Sequence, residues 1–137
     1  MKISMQKYAL DQAATLLGRL AFQVNQVSKQ PDPEPIHNMR ISIRRFNECL
    51  RVWNQFLPGH STKKIRRRMR NIMDLAAEVR NRDIALELLK QAGVASRSRL
   101  AVTLAQEREQ AKKELQRVVR RWSKRNFSQK WRTKLNL

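Results

Sequence analysis

Apolar residues recur at spacings of three and four along most of the chain, and this period predicts helices. The most regular stripe predicts a helix over about residues 34–57: Ile36, Met39, Ile43, Phe46, Leu50, Trp53 and Leu57. Comparable stripes predict helices over residues 10–27, about 61–91 and about 98–125, and prolines or glycines lie between them. The alternation of period two that marks strands is nearly absent. We therefore predict an all-α fold, a four-helix bundle without strands.

A shorter apolar segment follows the four stripes. Phe127, Trp131 and Leu135 keep the same spacing and predict the beginning of a short C-terminal helix. The four preceding helices offer no obvious cover for it, so we expect it to contact a partner. No low-complexity linker interrupts the chain, and residues 1–137 are expected to form a single domain. Trp53 and Trp122 fall in register with the apolar stripes, which predicts a core position for both.

The charge balance changes the picture from a plain helical protein to one with an acidic partner. The chain has 30 Lys and Arg against 11 Asp and Glu, a formal net charge of +19. Residues 36–95 hold 13 basic and 5 acidic side chains, and residues 96–137 hold 13 and 3. Nucleic acid, polyphosphate, an anionic membrane surface and an acidic protein all fit such a charge. The anion site is expected to lie after residue 35.

Two basic rows flank the apolar stripes of the second and third predicted helices. His37, Arg40, Arg44 and Arg51 recur at offsets of three, four and seven, about 100° from the core stripe. Lys63, Arg66, Arg67 and Arg70 repeat this arrangement on the next helix. If the two helices are neighbours, the rows face each other across a groove. Guanidinium groups suit phosphate there, because each planar fork can donate two charge-assisted hydrogen bonds.

The sequence gives little reason to expect catalysis. Its Ser, Cys and His residues show no nucleophile–base spacing, and it has no glycine-rich phosphate loop and no acidic cluster for magnesium. The lone Cys49 lies in an apolar pattern and is expected to be a buried thiol in a reducing compartment. No apolar stretch approaches the roughly 18 residues of a membrane span. We expect a cytoplasmic, non-enzymatic protein without a metal or cofactor.

Three segments resemble the CHAD family, the conserved histidine α-helical domain. The first is Asp-Pro-Glu-Pro-Ile-His-Asn-Met-Arg-Ile-Ser-Ile-Arg-Arg-Phe at residues 32–46, which is similar to that family's opening motif. The second is Val-Arg-Asn-Arg-Asp-Ile at residues 79–84, preceded by a basic run. Residues 108–135 also resemble the family's fourth helix and the entry to the next. The resemblance covers nearly the whole chain.

The resemblance implies an all-helical protein that binds inorganic polyphosphate through basic side chains. Together with the basic rows it gives the expected polyphosphate-binding residues: His37, Arg40, Arg44, Arg45, Arg51, Lys63, Arg66, Arg67, Arg70 and Arg80. It also implies a domain of two similar halves, of which this chain matches one, so we expect a homodimer. Association with polyphosphate granules in the cytoplasm follows from the same resemblance. The alternatives are an RNA- or DNA-binding protein and a scaffold for an acidic protein or membrane surface.

Overall fold

The computed structural model describes residues 4–137, which form five α-helices joined by short connections. These are α1 (Met5–Lys29), α2 (Pro33–Val52), α3 (Gly59–Gln91), α4 (Arg99–Lys124) and α5 (Phe127–Leu135), with a 3₁₀ turn at Asn54–Phe56. None of the residues in this range lies in a strand, so the prediction of an all-α fold is confirmed.

The helix ends follow from local side-chain chemistry. Ser4 precedes α1 and Ser98 precedes α4, and each hydroxyl accepts a hydrogen bond from a backbone N–H of the first turn. Prolines occupy the first turn of α2, where their missing N–H costs nothing. α2 ends at Val52, before the predicted 57, and the chain continues as the 3₁₀ turn. Pro58 disfavours helical geometry at Leu57, which is extended (φ −120°, ψ 148°). Leu57 is nevertheless buried, and its place in the apolar stripe reflects contact with the core outside the helix.

Helices α1 to α4 surround one apolar core. α1 packs against α2 and α4, and α3 packs against the same two helices. α2 and α4 therefore lie across the core from each other. The interior is built from the predicted stripes, with Leu17, Met39, Phe46 and Ile72 among the residues shielded from solvent.

The C-terminal helix contributes to this core, contrary to the expectation that its apolar residues would need a partner. Phe127, Trp131 and Leu135 are only 7%, 1% and 0% exposed. Asn126 adopts a left-handed conformation (φ 50°) that redirects the chain after α4, a role to which asparagine is well suited. The Trp131 ring then lies parallel to that of Phe46, with 6.3 Å between ring centroids. These three side chains offer no surface to a second protein.

Candidate anion-binding groove

A basic groove runs between α2 and α3. One part is a cavity of about 160 Å³ lined by Arg44, Arg66 and Arg70 together with apolar Ile43 and Met69. It adjoins a more open cavity of about 450 Å³ near the start of α3, since Arg66 and Arg70 line both. Lys63 and Arg67 complete the lining of this second part. Of the two basic rows, these cavities thus bring together Arg44 of α2 and all four cations of the α3 row.

The rows meet because of a shared sequence pattern. Five arginines each follow directly after a buried apolar residue, in the pairs Met39-Arg40, Ile43-Arg44, Ile65-Arg66, Met69-Arg70 and Val79-Arg80. Each is therefore turned about 100° from the core in the same rotational sense. When two neighbouring helices run in opposite directions, flanks of the same sense point toward each other. The Arg66 Nε–H donates to Asn47 Oδ1 of α2 at 2.9 Å and fixes this register.

Arg40 is the most unusual side chain of the groove. It is only 9% exposed, and its buried Nε has no hydrogen-bond partner among residues 4–137. Burial lowers the pKa of Arg40, and repulsion from Arg44 and Arg80 lowers it further. A buried donor without a partner, beside two like charges, is costly unless an anion is supplied from outside. Arg40, Arg44 and Arg80 extend the groove toward the beginning of α2, and we define the basic groove as these three with Lys63, Arg66, Arg67 and Arg70.

Two of the ten expected site residues lie elsewhere. Arg45 is directed toward α1, where it lines a different cavity beside Tyr8 and Trp53. Arg51 is exposed and pairs with Glu48 at 2.5 Å. The hydrogen bond from Arg51 lowers the pKa of Glu48, and the charge of Arg66 lowers it further. Arg45 and Arg51 therefore lie outside the groove, because α2 presents one of them to α1 and gives the other a carboxylate partner. Their part in polyphosphate binding stays a prediction.

Two expected residues, His37 and Arg80, lie near Arg40 and are open to solvent. His37 is exposed and lies one helical turn before Arg40. Arg80 is exposed and forms no ion pair within the described part of the chain. Nearby Arg82 differs, because it pairs with Glu78 and with Glu107 of α4. Asp83 holds Arg108 of α4, so its role is to join two helices.

A second basic surface on α4 was missed by the sequence reasoning. It borders a shallow cavity of about 570 Å³ and consists of Lys113, Arg117, Arg120, Arg121, Lys124 and Arg125 with Gln116. Its signal was present in the excess of basic residues after residue 96 and in their spacing of three and four. The apolar stripe of the same helix indicates only the side that packs against the core, so it did not identify this basic surface. We call these six cations the α4 face.

The three tryptophans are engaged inside the protein. The Trp53 Nε1–H donates to Gln12 Oε1 at 2.7 Å. Trp122 packs edge-on against Trp131, with 5.1 Å between centroids. The expected core positions of Trp53 and Trp122 are confirmed, since both are partly buried against the core cluster.

One protein-family model is similar to this chain. The family model described as the CHAD domain matches residues 11–137. No curated protein and no protein of solved structure matches the chain. None of the helices in residues 4–137 is long and apolar enough to cross a membrane. Within the same residues, no cluster of His, Cys, Asp or Glu has the composition of a metal site.

Proposed function

The chain belongs to the CHAD domain family, and from that premise we propose that it binds inorganic polyphosphate in the basic groove without catalysing a reaction. The observation that carries the proposal is Arg40, a buried cation with an unpaired donor between two further arginines. A linear chain of phosphates supplies what this arrangement lacks, an acceptor and a negative charge at successive positions.

Binding in the groove is multivalent neutralisation. Arg44, Arg66 and Arg70 face phosphate from two helices, and each guanidinium can donate two hydrogen bonds to one phosphate. The apolar floor at Ile43 and Met69 strengthens these bonds by lowering the local dielectric. Each engaged phosphate also releases condensed counterions. Affinity then falls with salt, with a log–log slope of about −0.7 per contact if polyphosphate behaves as a single strand.

A pair of charge reversals on α3 tests the site. Arg70 lines both parts of the groove, whereas Arg68, two residues away, is exposed and lines none of the cavities described above. Arg70→Glu is expected to weaken polyphosphate binding roughly 10- to 100-fold, the worth of one or more charge-assisted hydrogen bonds. Arg68→Glu makes the same change in net charge and is expected to act only through long-range attraction. Equal losses in the two variants would show a diffuse surface in place of a site.

RNA or DNA binding is the first alternative function. Recognition of single strands relies on bases stacked against aromatic side chains. Trp53, Trp122 and Trp131 pack against neighbours within the protein, and no aromatic residue in the described part of the chain lines the two cavities of the groove, which favours a ligand without bases at this site. A scaffold for an acidic protein or membrane surface is the second alternative. It predicts saturable binding to that partner and no preference for polyphosphate.

Turnover and location belong to the same proposal. A protein that only binds leaves polyphosphate chain length unchanged over hours, which gel electrophoresis of the ligand measures. We also propose a cytoplasmic location at polyphosphate granules, and a fluorescent fusion tests it. Granules that form in its absence and a fusion that never joins them would contradict this part.

A homodimer remains part of the proposal, through a surface other than the C-terminal segment. At 33 residues α3 is longer than α2, which has 20, and its far end runs beside α4. Ile84, Leu88 and Leu100 are 45%, 59% and 55% exposed there. A second copy that packs the same patch against this one would bury them symmetrically. Polyphosphate offsets the repulsion between two chains of net charge +19, so light scattering is expected to show more dimer when polyphosphate is added. A protein that stays monomeric with and without polyphosphate would contradict the homodimer.

A further inference from the structure

The α4 face lies on the opposite side of the protein from the basic groove. Gln116 Nε2 and Arg120 Nε of α4 both donate to the backbone carbonyl of Ser28, at 3.0 and 3.2 Å. These bonds place the α4 face beside the end of α1. The groove lies between α2 and α3, and α2 is diagonal to α4 across the core. No single short anion can therefore touch both surfaces.

The cations of the α4 face are poorly neutralised by the protein itself. Arg117 pairs with Glu114 at 2.5 Å, and this hydrogen bond lowers the pKa of that carboxyl. Lys113, Arg121, Lys124 and Arg125 take part in none of the ion pairs among residues 4–137. Cations in the last turn of a helix gain something from the helix dipole, which accounts for Arg121 and Lys124. It does not account for cations that begin at Lys113, three turns earlier.

The geometry of Arg120 suits it to hold an external anion. Its Nε–H is engaged by the Ser28 carbonyl, which fixes the plane of the guanidinium and leaves the terminal nitrogens to other acceptors. Around it the six cations extend from residue 113 to residue 125, about 18 Å at the rise of an α-helix. An arrangement of this length and shallowness matches an extended chain of phosphates better than a single compact anion.

We propose that the α4 face is a second binding surface for a linear phosphate polyanion, so that one protein molecule engages two separate stretches of polyanion. This inference extends the proposed function, because it assumes a ligand of the same class. The two surfaces point in different directions. A long polyphosphate chain, or two chains, can therefore be held by one molecule, and several molecules can be linked into larger assemblies.

Stoichiometry of binding to a short polyphosphate tests the proposal. Calorimetry at moderate salt is expected to give about two chains per wild-type molecule, and about one after Arg121→Glu with Arg125→Glu. Arg44→Glu with Arg70→Glu, in the groove, is expected to remove the other chain. Arg97→Glu with Arg99→Glu is the matched control and is expected to keep both chains. It makes the same charge change near the other end of α4, where Arg99 lies about 33 Å from Arg121 along the helix.

Assembly gives a second readout. Wild-type protein mixed with long polyphosphate is expected to form large particles in light scattering, and either double variant at one surface is expected to make them smaller, because each molecule then contributes fewer links. A stoichiometry of one for the wild type, or an α4 variant that behaves like the Arg97/Arg99 control, would overturn the inference. Failure of the proposed function looks different, because RNA would then displace polyphosphate equally well while the number of sites stayed at two.

Discussion

Replacing Arg40 by methionine is expected to stabilise the free protein and weaken its binding of polyphosphate. Arg40 is buried beside Arg44 and Arg80, and its Nε has no partner within residues 4–137. Methionine has a similar length, adapts to irregular packing and carries no charge. Because Arg40 has no anionic partner, its removal leaves no opposite charge unpaired, unlike the loss of one member of a buried ion pair.

The magnitude follows from the burial of one unsatisfied donor. Such a group costs about 1–3 kcal/mol, and the 9% exposure of Arg40 leaves it some hydration, so the lower part of that range applies. We expect the free energy of unfolding to rise by about 1–2 kcal/mol. For a chain of 137 residues this raises Tm by roughly 3–10 °C. Polyphosphate affinity is expected to fall roughly 10- to 100-fold, because a charge-assisted contact is lost.

Urea denaturation in a chloride buffer, free of phosphate and sulfate, measures the first effect. Repeating it with polyphosphate measures the second, since a ligand that binds only the folded state adds a free energy of unfolding that grows with the logarithm of its affinity. Arg68→Met is the control, as it removes an exposed cation of α3 and is expected to change stability by less than about 0.5 kcal/mol. A less stable Arg40→Met protein, or one that binds polyphosphate as tightly as wild type, would refute the reasoning.

Two further predictions concern the core and the thiol. Trp131→Ala is expected to lower the free energy of unfolding by about 3–5 kcal/mol in chemical denaturation, because Trp131 is 1% exposed. Phe22→Ala is the control, since Phe22 is 57% exposed, and equal small losses in the two variants would mean that α5 does not pack as described. Burial raises the pKa of Cys49, which is 6% exposed. Alkylation of Cys49 at pH 8 is therefore expected to be at least about tenfold slower in the native than in the unfolded protein, and equal rates would contradict its burial.

The helices and the facing basic rows were predictable because both depend on local periodicity. Met39 and Ile43 determine which side of α2 is buried, and the next residues, Arg40 and Arg44, must then lie on its flank. The same pattern on α3 gives the second row. What periodicity cannot supply is the partner of each flank. Arg45 was expected to bind polyphosphate from the resemblance to the CHAD family, and it lies against α1.

The course of the chain after Lys124 was also beyond the sequence pattern. The spacing of Phe127, Trp131 and Leu135 reveals an apolar face but not what covers it. That outcome depends on the left-handed turn at Asn126, which brings the face onto Phe46 of α2. The unpaired Nε of Arg40 was equally hidden, because it results from packing between helices that are far apart in sequence.

Competition at several salt concentrations tests the central claim, that the basic groove is a site for polyphosphate. Labelled polyphosphate bound to the wild-type protein is displaced by unlabelled polyphosphate, single-stranded RNA or duplex DNA at equal total charge. A site that holds successive phosphates predicts that polyphosphate competes best, and that its advantage persists at high salt, where long-range attraction is screened. Equal competition by all three polyanions at every salt concentration would contradict the claim and leave only nonspecific attraction by a protein of net charge +19.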